Sequence, residues 1–238
     1  MPEKISRSFS RTQWLALREE LRDKAVISKE WQDAIDLLKN RVTDRYFTPL
    51  EILINYEKSY QGAGFSIATI ECSLLEFLAS LSQGRLFKKP PNPTDNPHHY
   101  YKDSAEVYSR FLRTAPVLKQ YFSSPTNQPP FRPDDFYKNV RCALIHEAQT
   151  KNNWEIRIFG KTKERDKKNR VVLTHETATG KKVLYRTALF YTLKEYFDNY
   201  CDKELTEKSN KGRNLRKFLA RKIDYILEVN PDAHYWWS

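Results

Sequence analysis

Along most of this chain, apolar residues return every three or four positions, the spacing of helices that bury one face. Trp14, Leu17 and Leu21 form one stripe; Trp31, Ile35 and Leu38 form a second, with Ser28 as the helix start. Pro49 suits the first turn of a helix whose stripe is Leu50, Leu53 and Ile54. "QGAG" reads as a turn, with Gly62 and Gly64 free to take positive φ. The strongest helix is "FSIATIECSLLEFLASLSQG", with Ile67, Ile70, Leu74, Leu78 and Leu81 on one face, Leu75 and Phe77 widening it, and Gly84 ending it. Val107 and Phe111 mark a helical pattern from Tyr101 to Leu118, interrupted by Pro116. A further helix runs from about Asp134 to Ala148, with Pro133 and Asp134 as its start. "KKPPNPTDNPHH" and "SSPTNQPPFRP" read as loops.

After residue 150 the period changes. "NWEIRIF" alternates as a strand does, and "RVVLTHETATGKKVLYRTAL" reads as two strands around a turn at "TATG". Trp154 is expected to pack on the preceding helix. Two helical stretches follow, "LFYTLKEYFDNYCDKEL" and "RNLRKFLARKIDYILEV". The pattern predicts a mainly α fold: a helical bundle, a small antiparallel β-hairpin element after the 134–148 helix, and C-terminal helices. The expected organisation is one domain over 1–238. It has a helical core at 41–155, a β-ribbon with a basic loop at 156–190, and C-terminal helices with an aromatic tail at 191–238. There is no internal repeat.

Charge sharpens the picture. The net charge is +11, and "KTKERDKKNR" (161–170) with "KSNKGRNLRKFLARK" (208–222) accounts for all of it. A clustered basic field suits a polyanion, nucleic acid before a membrane surface. No run of about 18 or more apolar residues stands out, so a spanning helix is not expected. The first residues lack the apolar core of a secretory signal, and the expected location is cytoplasmic. Cys72, Cys142 and Cys201 are odd in number and widely spaced, which fits buried thiols rather than disulfides or a zinc knuckle. The chain has no glycine-rich phosphate loop and no G-x-S-x-G elbow. "HEAQT" at 146–150 lacks the second histidine of a zinc-protease motif, and the adjacent His98 and His99 point to opposite sides. Neither a cofactor nor a metal is therefore expected.

Within "FYKNVRCALIHEAQ", Arg141 and His146 stand five positions apart in an otherwise apolar run. On a regular helix that separation turns a side chain by roughly 140° and advances it about 7.5 Å, so one helix does not aim both at one spot. A two-fold partner would bring two arginines and two histidines around one cleft, which predicts a homodimer. Arginine, four residues, then histidine, near the end of a helix preceded by "GFSIATIECSLLEFL", resembles the signature of the HEPN superfamily (higher eukaryotes and prokaryotes nucleotide-binding domains). The likeness spans roughly half of the chain, about Arg41 to Trp154. It implies a dimerising helical domain and, as in active members, a metal-independent endoribonuclease of toxin or antiphage type, with an antitoxin protein as a further possible partner. Active members commonly carry a polar residue after the arginine. Here it is Cys142, which opens the alternative of a degenerate dimer that binds RNA, a nucleotide or a protein.

The chemistry supports the same assignment. RNA carries a 2′-OH able to attack the adjacent phosphate. Histidine can move the protons near neutral pH, and arginine offers a fixed fork to the phosphate oxygens. Arg141 and His146 are the expected catalytic pair. Glu71 or Glu76 could direct Arg141, and Glu147 either orients His146 or stays exposed. Lys151, Lys161, Lys163, Arg165, Lys167, Lys168, Arg170, Arg213, Arg216, Lys217 and Arg221 are the expected RNA contacts. His175 is expected to be a cross-strand polar residue. The aromatic tail "HYWWS" reads as a core-packing tail ahead of a base-stacking platform.

Overall fold

A computed structural model describes residues 4–6, 9–21, 27–57, 62–88, 98–122, 131–158, 170–229 and 237. The readings at 89–97, 123–130 and 159–169, and the tail apart from Trp237, fall outside these residues. The chain is mainly helical, with small β elements. It segregates into two compact units interleaved in sequence. The first comprises Met1–Thr48, Ser80–Lys102 and Phe197–Ser238, and the second Pro49–Ala79 and Asp103–Tyr196. This partition cuts across the boundaries expected from sequence.

The first unit contains β1 (Lys4–Ser6) paired antiparallel with β2 (Phe9–Ser10), followed by α1 (Arg11–Glu20) and α2 (Lys29–Val42). The starts are set locally. Ser10 and Gln13 form a reciprocal capping box on α1, and Ser28 caps α2 by accepting from the Trp31 N–H. A π-helical turn, Thr43–Phe47, carries the chain from α2 into α3 (Thr48–Tyr56), which opens the second unit's part of the sequence. Pro49 sits in the first turn of α3, as expected, and the π turn makes α3 continuous with α2. The wider turn, closed by the Thr48 N–H on the Thr43 carbonyl, leads directly into the proline that has no N–H of its own.

α4 (Gly64–Gln83) buries Ile67, Leu74, Leu75, Leu78 and Leu81, and Gly84 ends it at φ 63°. Gly62 takes positive φ, whereas Gly64 begins the helix. By length and composition α4 is apolar enough to cross a membrane, contrary to the expectation from sequence. More than half of its apolar window is buried, as in a core helix. β3 (Leu86–Phe87) and β4 (Tyr100–Tyr101) make a short parallel pair in the first unit.

The second unit continues with α5 (Ser104–Thr114), α6 (Lys119–Phe122), α7 (Pro133–Phe136) and α8 (Ala143–Glu147), the last two joined by a π-helical turn at Tyr137–Cys142. β5 (Trp154–Arg157), β6 (Leu173–Glu176) and β7 (Lys181–Tyr185) then form a sheet in the order β5-β7-β6. The expected β6–β7 hairpin is present and antiparallel, and His175 pairs with Lys182 across it. β5 lies parallel on the other edge of β7, with Trp154 opposite Lys182. α9 (Arg186–Asn199) leaves the sheet, passes through a π-helical turn at Tyr200–Glu204, and α10 (Asn210–Ile226) closes the first unit.

The first unit is organised around a buried carboxylate. Asp224, 1% exposed, accepts from Trp14 Nε1 at 2.8 Å, Trp237 Nε1 at 2.9 Å and Arg18 Nε at 2.9 Å. Burial raises its pKa against the pull of these donors. Trp237 is fully buried, so that residue of the aromatic tail is core rather than a stacking platform.

The second unit holds a less compensated acid. Glu71 is fully buried on α4, and neither carboxylate oxygen makes a full hydrogen bond. Burial holds its pKa well above the usual glutamate range, slightly countered by the Phe190 backbone. The folded state thus favours the protonated acid. Its contribution is most favourable below the pKa of the unfolded chain and is lost as pH rises through the folded value. Glu71→Gln should melt above wild type at pH 8, with the difference shrinking toward pH 4, as thermal denaturation across pH would show.

Candidate functional site

The helix carrying Arg141 and His146 starts as expected, with Arg132 at the N-cap, Pro133 in the first turn, and Asp134 and Asp135 facing the positive end of the helix dipole. The π turn then widens it over Tyr137–Cys142, and Arg141 lies in this turn. The helix stops at Ala148, which is left-handed at φ 53°. Asn152 and Asn153 also take positive φ, a conformation asparagine tolerates, and the chain reverses into β5.

Asp135 fastens this reversal. Its carboxylate accepts from Asn139 Nδ2 at 2.8 Å, Asn152 Nδ2 at 2.7 Å, Trp154 Nε1 at 2.9 Å and Lys182 Nζ at 2.7 Å. One acid therefore joins the helix, the loop and two strands. Burial alone would raise its pKa, but Lys182, Trp154 and Asn152 outweigh that and hold it below the usual aspartate range. The Lys151 N–H adds a bond to the Asn139 carbonyl at 2.9 Å. Trp154 packs edge-on against Phe136 at 5.2 Å, as expected from sequence.

Arg141 points inward. Its Nη2 meets Glu76 Oε2 at 2.5 Å, and both side chains are less than one-fifth exposed. Of the two acids available on α4, Glu76 is the partner, and Glu71 lies deeper in the core. The guanidinium also stands over the Tyr137 ring, 5.4 Å from its centre, and 3.9 Å from Cys142 Sγ. Burial works against its charge, yet Glu76 more than compensates and the net pKa is raised. Its Nε is buried without a hydrogen bond.

His146 is exposed in the last turn of α8, and Ile145 beside it is 44% exposed. Among the described residues no hydrogen bond or ion pair joins His146 to Arg141. Glu147 is exposed and pairs with Lys151, not with His146. Lys151 is likewise exposed.

The remaining basic residues divide sharply. Lys161, Lys163, Arg165, Lys167 and Lys168 lie outside the described residues. Arg170 is one-tenth exposed, pairs with Glu195 at 3.2 Å and lies 5.7 Å from the Tyr191 ring centre, so it is not a free phosphate contact. Arg216 and Arg221 also depart from expectation. Arg216 is buried and donates to the carbonyls of Leu205 and Glu207 at 2.7 and 2.9 Å. Arg221 donates to the carbonyls of Trp237 and Gly84, and burial pushes its pKa down to about 10. The reason is the amphipathic register of α10: Leu215, Leu219 and Ile223 face the core, and these arginines flank them. Lys222 is buried too, on Ser80 Oγ at 2.6 Å. Lys217 is half-buried, and burial beside Arg213 and Arg221 lowers its pKa. Lys208, Lys211 and Arg213 remain exposed on this segment.

No group of three or more histidine, cysteine, aspartate or glutamate side chains among the described residues is placed to hold a metal ion. Comparisons with protein-family models, curated proteins and solved structures find no match for this chain.

Sequence reasoning missed Asp135 as the organiser of the site. The signal was there in outline: an acid in the first helical turn, four residues before an asparagine and nineteen before a tryptophan. Asp135→Ala should destabilise the protein by about 2–4 kcal/mol, since it strands several charge-assisted bonds. Because the folded pKa is depressed, that stabilisation is full above the usual aspartate range and lost as pH falls through the folded value. Denaturant melts of variant and wild type should converge in acid.

Proposed function

We propose that this protein is an endoribonuclease of HEPN type whose working site is composite, formed when two chains place their Arg141 and His146 around one phosphodiester. The observation that carries the reading is the contrast within one short helix. Arg141 is held rigidly by Glu76, and His146 stands free at the exposed end, bordered by an apolar Ile145. A second copy docking on this end of the helix would cover Ile145 together with His146.

In this mechanism His146 moves the proton. One imidazole takes it from the ribose 2′-OH as that oxygen attacks phosphorus, and the other gives one to the departing 5′ oxygen. The P–O5′ bond breaks, leaving a 2′,3′-cyclic phosphate and a 5′-hydroxyl. Arg141 stabilises the charge gathering on the phosphoryl oxygens. Glu76 acts through Arg141 by fixing the direction of its fork. The exposed Lys151, paired with Glu147 in the free protein, can exchange that partner for an RNA phosphate, a contact that weakens steeply with salt. The toxin or antiphage role, and an antitoxin partner, follow from the resemblance alone.

A second reading has a specific observation behind it. The Glu76 carboxylate already neutralises Arg141, and Cys142 follows it. A dimer that binds RNA, a nucleotide or a protein without cutting would show salt-sensitive binding and no products.

Purified protein should cleave RNA in EDTA to cyclic-phosphate ends, and His146→Ala should lower the rate by at least about a hundredfold with an unchanged melting curve. Equal cleavage by the variant would refute the assignment. Ile145→Lys should convert the dimer to monomer in sedimentation equilibrium and reduce cleavage in parallel, leaving the fold intact. A monomeric wild type that still cleaves would remove the shared site.

A further inference from the structure

We infer that the second unit carries a pocket for a single guanine base. The inference extends the ribonuclease reading by giving its RNA a preferred base, and rests on that reading only for the identity of the polymer. The pocket is an open cavity of about 230 Å³. Its walls are Phe65, Ile156 and Ile158, and its polar groups come from Glu57 and Arg186. Such a composition, apolar walls with a few placed polar atoms, is that of a small-molecule site. Its volume is below the roughly 300–1,000 Å³ of drug-sized sites, so it suits one flat ring system.

Glu57 and Arg186 form an ion pair with side chains 5% and 2% exposed. Two charges taken from water at the wall of an apolar cavity are costly unless each keeps hydrogen-bonding partners. A ligand that enters beside them must therefore offer donors to the carboxylate and acceptors to the guanidinium. Guanine does both. Its N1–H and exocyclic NH₂ present two parallel donors, which match a carboxylate, and O6 and N7 accept from an arginine fork. Adenine lacks the paired donors, and the pyrimidines lack the two-acceptor edge with a second ring.

Stacking is supplied by Phe65, an aromatic ring left 45% exposed at the start of α4. Space is supplied by Gly64. A Cβ there would stand 3.4 Å from Arg186 Nε and 3.8 Å from Glu57 Oε1, so any larger side chain would fill the approach to the pair. Gly64 does not adopt left-handed φ, so the glycine is not required by its own backbone.

The test is a calorimetric titration of the full chain with guanosine, adenosine, cytidine and uridine. Guanosine should bind saturably and about tenfold or more tighter than adenosine. Gly64→Leu, checked for folding by its melting curve, should abolish binding. Phe65→Ala should weaken it about tenfold. Absence of saturable guanosine binding, equal binding of adenosine, or binding unchanged in both variants would overturn the proposal. The two readings fail separately. Guanosine binding without RNA cleavage leaves the pocket and removes the ribonuclease, and cleavage without guanosine binding does the reverse.

Discussion

The second unit depends on the obligation to satisfy one half-buried carboxylate. Asp135 gathers donors from its own helix, from the loop beyond Ala148 and from β5 and β7. None of those segments is long enough to hold its place alone; α8 is barely more than one turn, and the strands have four and five residues. A common acceptor in partly dry surroundings makes their positions conditional on each other. The exposed end of the helix, where His146 sits, is then fixed from behind by polar bonds and by Phe136 against Trp154. Precision at a solvent-facing side chain is set by groups that do not touch solvent.

The same economy governs the first unit, with the signs changed. Asp224 is surrounded by two indoles and a guanidinium, while Arg216 and Arg221 satisfy loop carbonyls that would otherwise be stranded. Not every cation of the basic 208–222 segment is therefore a surface charge. Three of the cations counted in 208–222 are structural, and what remains outward is concentrated at the start of α10. Charge in a sequence reports a field only after the buried members have been subtracted.

Helices were legible because burial on one face imposes a period, and Trp14, Trp31 and Leu74 sit where that period puts them. Capping chemistry at Ser10 and Ser28 is equally local. The π turns were not legible. Inserting a residue into a turn changes no apolar period strongly enough to be read in a short window, so the continuity of α2 through the π turn into α3 did not show. The parallel pairing of β5 depends on a partner 28 positions away, beyond any local rule. At the site, Arg141 is tied to Glu76 while His146 is exposed in the last turn of α8. The choice of Glu76 over Glu71 needed three-dimensional depth, since both acids lie on the same helix.

The interleaving of the two units has a bearing on how the protein is made. Every segment of the second unit lies between residues 49 and 196, whereas the first unit needs Trp14 to meet Asp224, 210 positions later, and Trp237 after that. On the ribosome the nested unit has all its material earlier, and the enclosing one must wait, its first helices exposed, until the closing strand of sequence emerges. Vectorial synthesis thus imposes an order of assembly that refolding from denaturant would not, and the amino-terminal tryptophans are the surfaces a chaperone would have to shield meanwhile.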